Sequence, residues 1–182
     1  MDIYEAIKTR RSVRSYRDKE VDDQTLNKIL EAARLAPSAH NSQDYKFIIV
    51  RDQGARKALA KAASEQRFIA EAPIVIAAVA LKPDYLMSSG IPAFALDLAI
   101  AIDHITLAAI AEGLGTCWIG AFSQEEVKKI LGVPERYKVA VLLPLGAPYD
   151  EPGVKSRKNL KELVCLEQFS EKNIKKEKPN EE

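Results

Sequence analysis

Apolar residues along this chain recur with helical spacing in some segments and with strand spacing in others. Residues 2–9 have the helical spacing, which predicts a short first helix. A stronger helix is predicted after them, with Asp22 or Asp23 as its N-cap and Pro37 as its stop. Further helices are predicted over residues 55–63, with a broken continuation toward Ile69, and over residues 124–132, where a capping-box sequence begins at Ser123.

Strand-like runs occupy residues 45–50, 74–81, 116–120 and 139–145. The run at 74–81 is apolar on both faces, which is typical of a central strand covered by helices on both sides. These runs alternate with the helices, and the pattern predicts a single domain over residues 1–169. Residues 170–182 are mainly Lys, Glu, Asn and Pro, so we expect this charged tail to be mobile.

Residues 93–113 are apolar on nearly every face, which is typical of a membrane span or of a helix enclosed by protein. Asp97, Asp103, His104 and Glu112 interrupt the segment, and each charge would cost a few kcal/mol at the centre of a bilayer. We therefore predict a buried central helix, with part of its surface in a dimer interface. Asp97, Asp103 and His104 are interpreted as hydrogen-bonded core residues.

The amino-acid composition limits the classes of partner that the protein is expected to bind. The 182 residues are 47% hydrophobic and 29% charged, a mixture typical of a folded enzyme of one domain. The net charge of +1 gives no broad electrostatic surface for nucleic acid or for an anionic membrane. Any basic patch must therefore be local, which favours a small anionic ligand.

The cysteines and histidines give no metal-binding pattern. Cys117 and Cys165 form no close pair, and His40 and His104 are isolated from them and from each other. We therefore predict no bound metal, and interpret Cys117 as a small apolar residue in a strand. The N-terminus turns acidic at once and lacks the apolar core of a signal peptide, so a cytoplasmic location is expected.

A basic run with a hydroxyl follows the first predicted helix. Arg10, Arg11, Ser12 and Arg14 combine guanidinium groups, which bind phosphate oxygens in pairs, with a side chain that donates one more hydrogen bond. By itself such a run also fits a solvated charged turn. Two further polar clusters favour the anion site. One is the loop at residues 36–43, and the other is the sequence Lys155-Ser156-Arg157.

In their order along the chain, these motifs resemble those of the FMN-dependent nitroreductase family. The resemblance comprises the opening RRSxR run, a PSxxNxQ loop, the glycine-bearing Trp118-Ile119-Gly120 segment and the late Lys-x-Arg, and it covers residues 1–164. It implies an α+β fold of three-layer α/β type, with a mixed central sheet flanked by helices. It also implies a homodimer in which FMN lies in a groove at the subunit interface.

The resemblance also implies which residues bind the cofactor. Arg10, Ser12, Lys155 and Arg157 would hold the phosphate and ribityl chain, with Arg11 nearby. Arg14 would reach the end of the ring where reduced flavin carries negative charge, and backbone amides around Ile119 and Gly120 would face flavin N5 and O4. The remaining expected contacts are Pro37, Ser38, Ala39, Asn41 and Gln43, partly from the partner subunit, and Arg67.

The implied activity is that of a flavoprotein oxidoreductase with no catalytic side chain of its own. NADH or NADPH would reduce FMN, and a nitroaromatic, a quinone or a similar small molecule would then take two electrons in a ping-pong scheme. Alternatives are a flavin destructase or substrate dehydrogenase of the same superfamily, and a non-enzymatic flavin- or phosphate-binding protein. Asp44 and Tyr45 stand where many relatives have Pro-Trp, which alters the rim of the groove, and His40 is interpreted as a solvent-exposed loop residue.

Overall fold

The computed structural model describes residues 1–150 and 152–171. The chain divides into two compact units, Met1–Pro152 and Gly153–Glu182. This division falls inside the predicted domain of residues 1–169, whose extent stays a prediction. Most of the tail at residues 170–182, which we expect to be mobile, lies outside the described residues.

The first unit contains six α-helices among its described residues: α1 (Ile3–Thr9), α2 (Asp23–Arg34), α3 (Gln53–Ala62), α4 (Phe68–Glu71), α5 (Ala93–Ala111) and α6 (Gln124–Leu131). Four of them begin with a side chain that accepts a hydrogen bond from the amide three residues later, namely that of Asp2, Asp22, Asp52 and Ser123. Helix α6 ends at Gly132, whose φ of 66° suits a residue without a side chain. The predicted caps Asp22 and Ser123 and the predicted stop at Gly132 are confirmed.

The sheet has four strands, β1 (Tyr45–Val50), β2 (Ile74–Ala80), β3 (Gly115–Thr116) and β4 (Lys138–Gly146), in the order β1-β2-β4-β3. Each strand is antiparallel to its neighbours, and a parallel bridge between Ser12 and Thr116 adds to the β3 edge. The predicted α+β class, with a central sheet flanked by helices, is confirmed. The parallel pairing expected of a mixed sheet is limited, among the described residues, to the Ser12–Thr116 bridge.

Strand β3 is shorter than the predicted run at residues 116–120. Pairing is interrupted at residues 117–118 and resumes at Ile119, which exchanges backbone hydrogen bonds of 2.9 and 3.1 Å with Leu142. Ile119 pairs with Leu142 in the same register in which Gly115 pairs with Gly146. Cys117 and Ile119 are buried while Trp118 and Gly120 are exposed, so the side chains keep the alternation of a strand across the interruption.

Strand β2 separates two layers of helices. All of its side chains are buried, and they alternate between two apolar cores. One core contains Ile74 and Ile76 and is completed by α2 and α5, and the other contains Val75 and Ala77 and is completed by α3, α4 and α6. The predicted central strand is confirmed, and the three-layer arrangement follows from its two apolar faces.

Helix α5 buries one face and exposes another. Leu98, Ile102 and Ile105 are fully buried against α2 and the sheet, whereas Leu96 and Ile100 are 45% and 37% exposed. By length and composition α5 is the one helix among the described residues that is long and apolar enough to cross a membrane. Its buried face instead forms part of the core of the first unit. The interpretation of Asp103 as a core residue is wrong, because Asp103 is exposed, and His104 is half-buried with its Nδ1 3.2 Å from the Ala32 carbonyl oxygen.

Among its described residues, the second unit has one element of regular structure, a short 3-10 helix at Leu160–Glu162. The amide of Asn159 donates to the carboxylate of Glu162 at 2.9 Å. Several large apolar side chains are exposed around it, namely those of Leu160, Leu163, Val164, Leu166 and Phe169.

Candidate functional site

The predicted basic segment runs along the β3 edge of the sheet. Arg10 directly follows α1, and two residues later Ser12 pairs with Thr116. The amide of Val13 donates to the Thr116 carbonyl at 2.9 Å. The segment is therefore fixed beside the strand that leads to Gly120.

Buried side chains hold the segment in this place. Val13 is buried against Gly115, where an added Cβ would lie 2.4 Å from a Val13 methyl group. The buried hydroxyl of Tyr16 donates to the carbonyls of Val13 at 2.9 Å and of Pro144 at 3.3 Å. Burial raises the pKa of Tyr16 far above its usual value, so the hydroxyl stays protonated and keeps donating.

The arginines of the segment differ in what they contact. The Arg11 guanidinium donates to the carbonyls of Lys8 at 2.7 Å and Arg10 at 2.8 Å, and so helps to close the end of α1. Arg14 is exposed and makes a long contact of 3.5 Å with the Ser12 carbonyl. The Arg10 guanidinium makes none of the hydrogen bonds or ion pairs found among the described residues. Arg10 and Arg14 are thus better placed than Arg11 to bind an anion.

The loop at residues 36–43 has an unusual backbone. It contains a short 3-10 helix, and His40, Asn41 and Gln43 have φ values of 52°, 54° and 51°. The left-handed region costs a residue with a side chain about 1–2 kcal/mol. Internal hydrogen bonds offset this cost. The Ser38 hydroxyl accepts from the Gln43 amide at 3.0 Å, and the Gln43 side chain donates to the Asn41 side chain at 3.2 Å.

A contact from within this loop and one from the residue just after it join this part of the chain to other elements. Oδ1 of the buried Asp97 on α5 accepts a hydrogen bond of 2.9 Å from the amide of Ala39. Pro37, at the start of the loop, is exposed. Beyond the loop, Asp44 forms an ion pair of 2.9 Å with Lys82, and this contact is the main reason that the pKa of the Asp44 carboxyl lies below its usual value. His40 is exposed, as expected from the sequence.

A cavity of about 320 Å³ lies between the start of α5 and the segment that contains Gly120. Its lining includes Phe94, Leu98, Trp118, Gly120, Phe122 and Lys138. A Cβ added at Gly120 would meet nothing within 4 Å, so the Cα of this residue is open to close approach by a ligand. The Ile119 amide, by contrast, already donates to Leu142. We expected both amides to face the flavin. The Ile119 amide is not free to do so, and the contact of the Gly120 amide with flavin stays a prediction.

The structure brings together two parts of the predicted site and attaches a third through α5. The basic segment is paired with the strand that leads to Gly120. The 36–43 loop is bonded to Asp97, whose neighbour Leu98 lines the cavity together with Gly120. Within the described residues, no hydrogen bond joins this loop to the basic segment.

The remaining predicted contacts, Arg67, Lys155 and Arg157, are exposed residues. Arg67 is exposed at the start of α4, whose Phe68 packs against the cluster that contains Val13. Lys155 and Arg157 are exposed in the second unit, and their contribution to the site stays a prediction.

Two residues with a clear structural role here were not predicted as site residues. Asp97 was interpreted as a core residue, although a carboxylate in an otherwise apolar helix is a signal that a specific partner exists. Tyr16 lies two positions after Arg14, and no pattern in the sequence indicates that its hydroxyl anchors the basic segment.

Comparison with known proteins places the chain among flavin and nitro-group reductases. A family described as "Putative TM nitroreductase" matches residues 2–177. The solved structure of a nitroreductase family protein from Clostridium novyi NT is 37% identical and has a TM-score of 0.79, with 85% of this chain and 89% of that chain covered.

Two further relatives are named for flavin reduction. FMN reductase (NAD(P)H) of Bacillus subtilis is 31% identical over 173 residues, which cover 86% of this chain and 70% of the relative. The NADPH:FMN oxidoreductase of Vibrio harveyi, solved in complex with NAD⁺, is 27% identical with a TM-score of 0.85, over 92% of this chain and 78% of that chain. On the evidence of these matches and of its fold, the chain belongs to the nitroreductase family of oxidoreductases.

Proposed function

We propose that this protein is an FMN-dependent oxidoreductase that uses NADH or NADPH to reduce nitroaromatic, quinone or similar small acceptors. The observation that carries the proposal is the pairing of Ser12 with Thr116, because it lays the basic segment beside the strand that leads to Gly120. The names of the similar proteins from B. subtilis and V. harveyi support the choice of flavin and reductant.

The residues of the basic segment fit the phosphate end of FMN. The Arg10 guanidinium and the Ser12 hydroxyl would bind phosphate oxygens, with Arg11 adding positive charge nearby. Lys155 and Arg157 would complete the phosphate site. Arg67 would contribute at longer range, since it lies at the start of the helix that packs against Val13.

The residues around Gly120 fit the flavin ring. The open space over its Cα would let the ring approach the main chain, and its amide would donate to the ring edge. Arg14 would place a positive charge near the pyrimidine end. The 36–43 loop would supply the remaining contacts, from Pro37, Ser38, Ala39, Asn41 and Gln43.

When bound, FMN supplies the redox chemistry, accepting a hydride and returning two electrons to the acceptor. The protein binds and orients the ring, and Arg14 tunes its charge. We assign no side chain to proton or hydride transfer. Reductant and acceptor would occupy the same open face in turn, which gives a ping-pong scheme. The aromatic rings of Phe94, Trp118 and Phe122 offer this face an apolar wall.

We also propose that the protein acts as a homodimer in the cytoplasm, where NAD(P)H is available. The outward face of α5 exposes Leu96 and Ile100, and α1 exposes Ile3 and Ile7 at 56% each. Exposed apolar side chains grouped on helices that contact each other are typical of a subunit interface. Sedimentation equilibrium should give twice the monomer mass, and Ile100→Glu should shift the protein toward the monomer.

Steady-state reduction assays test the proposed activity. Protein freed of flavin should oxidise NADH or NADPH with a quinone such as menadione only after FMN is restored, and initial rates at several concentrations of both substrates should give parallel double-reciprocal lines. Intersecting lines would contradict the ping-pong scheme. Bound FMN that NAD(P)H fails to reduce would favour the dehydrogenase, destructase or carrier alternatives.

A further inference from the structure

Asp97 is a buried carboxylate on α5 that contacts the 36–43 loop. Its side chain is on the mainly apolar helix α5 and is 6% exposed. None of the ion pairs among the described residues includes it. Burial of a carboxylate is unfavourable unless hydrogen bonds compensate for the lost water. The hydrogen bond of 2.9 Å from the Ala39 amide is therefore the contact that compensates for the burial of the Asp97 carboxylate.

This contact is also the loop's link to a distant part of the chain. The other hydrogen bonds described for residues 38–43 join residues within the range 38–45. The loop needs such a link because three of its residues have left-handed backbone angles, which an unrestrained chain would leave. A bond to a charged acceptor is roughly twice as strong as one between neutral groups.

Asp97 influences the far end of the loop as well. Tyr45 begins β1 just after the loop, and its amide donates to the Gln43 carbonyl at 2.8 Å. Its hydroxyl oxygen is buried and has no hydrogen-bond partner among the described residues. Burial, and secondarily the charge of Asp97, raises the pKa of Tyr45.

We propose that Asp97 is a positioning residue that holds the 36–43 loop in its flavin-binding conformation before flavin arrives. The proposal rests on the proposed function, because it takes Ser38, Asn41 and Gln43 as flavin contacts. If only a fraction of the molecules has the correct loop conformation, the apparent dissociation constant for FMN rises by the inverse of that fraction. Asp97 would thus set FMN affinity without contacting FMN.

Three variants test this role. Asp97→Ala removes the acceptor, Asp97→Asn keeps an oxygen acceptor without the charge, and Glu125→Ala removes an exposed carboxylate from α6 as the control. Hydrogen–deuterium exchange of flavin-free protein would report the Ala39 amide, fluorescence quenching would give the dissociation constant for FMN, and kcat would be measured at saturating FMN.

We expect Asp97→Ala to speed exchange at Ala39 and to weaken FMN binding about tenfold or more. Asp97→Asn should show a smaller change in both, Glu125→Ala should match the unaltered protein, and kcat at saturating FMN should be retained throughout. If Asp97→Ala does not fold, the exchange rate at Ala39 and the FMN affinity of Asp97→Asn decide whether the proposal holds.

Unchanged exchange at Ala39 in the variants would overturn the anchoring role. Faster exchange with unchanged FMN affinity would overturn the link between loop conformation and binding. If the unaltered protein itself binds no FMN, the proposed function fails, and the proposal, which rests on it, fails as well. The exchange data would still show separately whether Asp97 anchors the loop.

Discussion

The amide of Val13 lies 2.9 Å from the carbonyl oxygen of Thr116, and this bond joins the N-terminal basic segment to the strand that leads to Gly120. The two residues are far apart in the sequence, and the packing of Val13 over Gly115 reinforces their pairing. The backbone of the basic segment is therefore positioned by the core and the sheet, which leaves the Arg10 and Arg14 side chains available to a ligand.

A substitution at Gly115 tests this packing. In Gly115→Ala the new methyl group would lie 2.4 Å from a side-chain atom of Val13, so the basic segment must shift. We expect the free energy of unfolding to fall by about 1–3 kcal/mol, measured by urea denaturation. Gly120→Ala is the matched control, because its methyl group meets nothing within 4 Å and should leave stability nearly unchanged.

Gly120→Ala should weaken binding of the cofactor without lowering the stability of the fold. The added methyl group would occupy the space through which we propose the flavin ring approaches, so FMN affinity should fall about tenfold or more while the urea midpoint is kept. Fluorescence titration measures the first quantity. Wild-type affinity in this variant would show that the ring lies elsewhere.

Arg10 and Arg11 should respond differently to truncation. Arg10→Ala should weaken FMN binding by about ten- to a hundredfold, since it removes a charge-assisted contact to phosphate, and should leave stability unchanged. Arg11→Ala should mainly lower stability, because this guanidinium caps two carbonyls at the end of α1. Equal loss of FMN affinity in both variants would contradict the distinction. Titration of each variant with FMN and with urea separates the two effects.

Arg14→Ala should lower the reduction potential of bound flavin. A positive charge near the pyrimidine end favours the more negative, reduced flavin, and its removal should shift the potential by about −30 mV or more, where 30 mV corresponds to about 1.4 kcal/mol for two electrons. Equilibration with a reference dye under anaerobic conditions gives the value. A raised or unchanged potential would place Arg14 away from the ring.

The buried Tyr16 hydroxyl should make the free energy of unfolding depend on pH in the alkaline range. Its pKa is raised by burial, whereas in the unfolded chain it returns to about 10. The stability it contributes is therefore complete below pH of about 10 and declines as the pH rises further, by up to about 1.4 kcal/mol per pH unit, because only the unfolded chain loses the proton.

Tyr16→Phe should flatten that alkaline decline, and at neutral pH it should cost about 1–2 kcal/mol through the lost hydrogen bonds to Val13 and Pro144. Urea denaturation between pH 8 and 11 checks both effects. The exposed Tyr149→Phe is the control, and an identical pH slope in Tyr16→Phe would rule out the proposed cause.

The helices and central strands could be predicted because their signals are local. Caps such as Asp22 and Ser123, the stop at Gly132 and the two apolar faces of β2 depend on neighbouring residues in the sequence. The interruption of β3 could not be predicted, because strand pairing depends on the partner strand β4, which is distant in sequence.

The same distinction applies to the site. Arg10, Ser12 and Gly120 are recognisable from short motifs, and the structure places their segments side by side. The roles of Asp97 and Tyr16 depend on a bond to Ala39 and on bonds to backbone carbonyls, which no sequence pattern specifies. Residues that support a site from the core are harder to predict than those that carry its charge.

The most direct test of the central claim is the visible absorption spectrum of the freshly purified protein, followed by anaerobic addition of NADH or NADPH. We predict flavin bands that bleach on addition of the reductant and return when a quinone is added. A colourless protein that cannot be reconstituted with FMN would contradict the account.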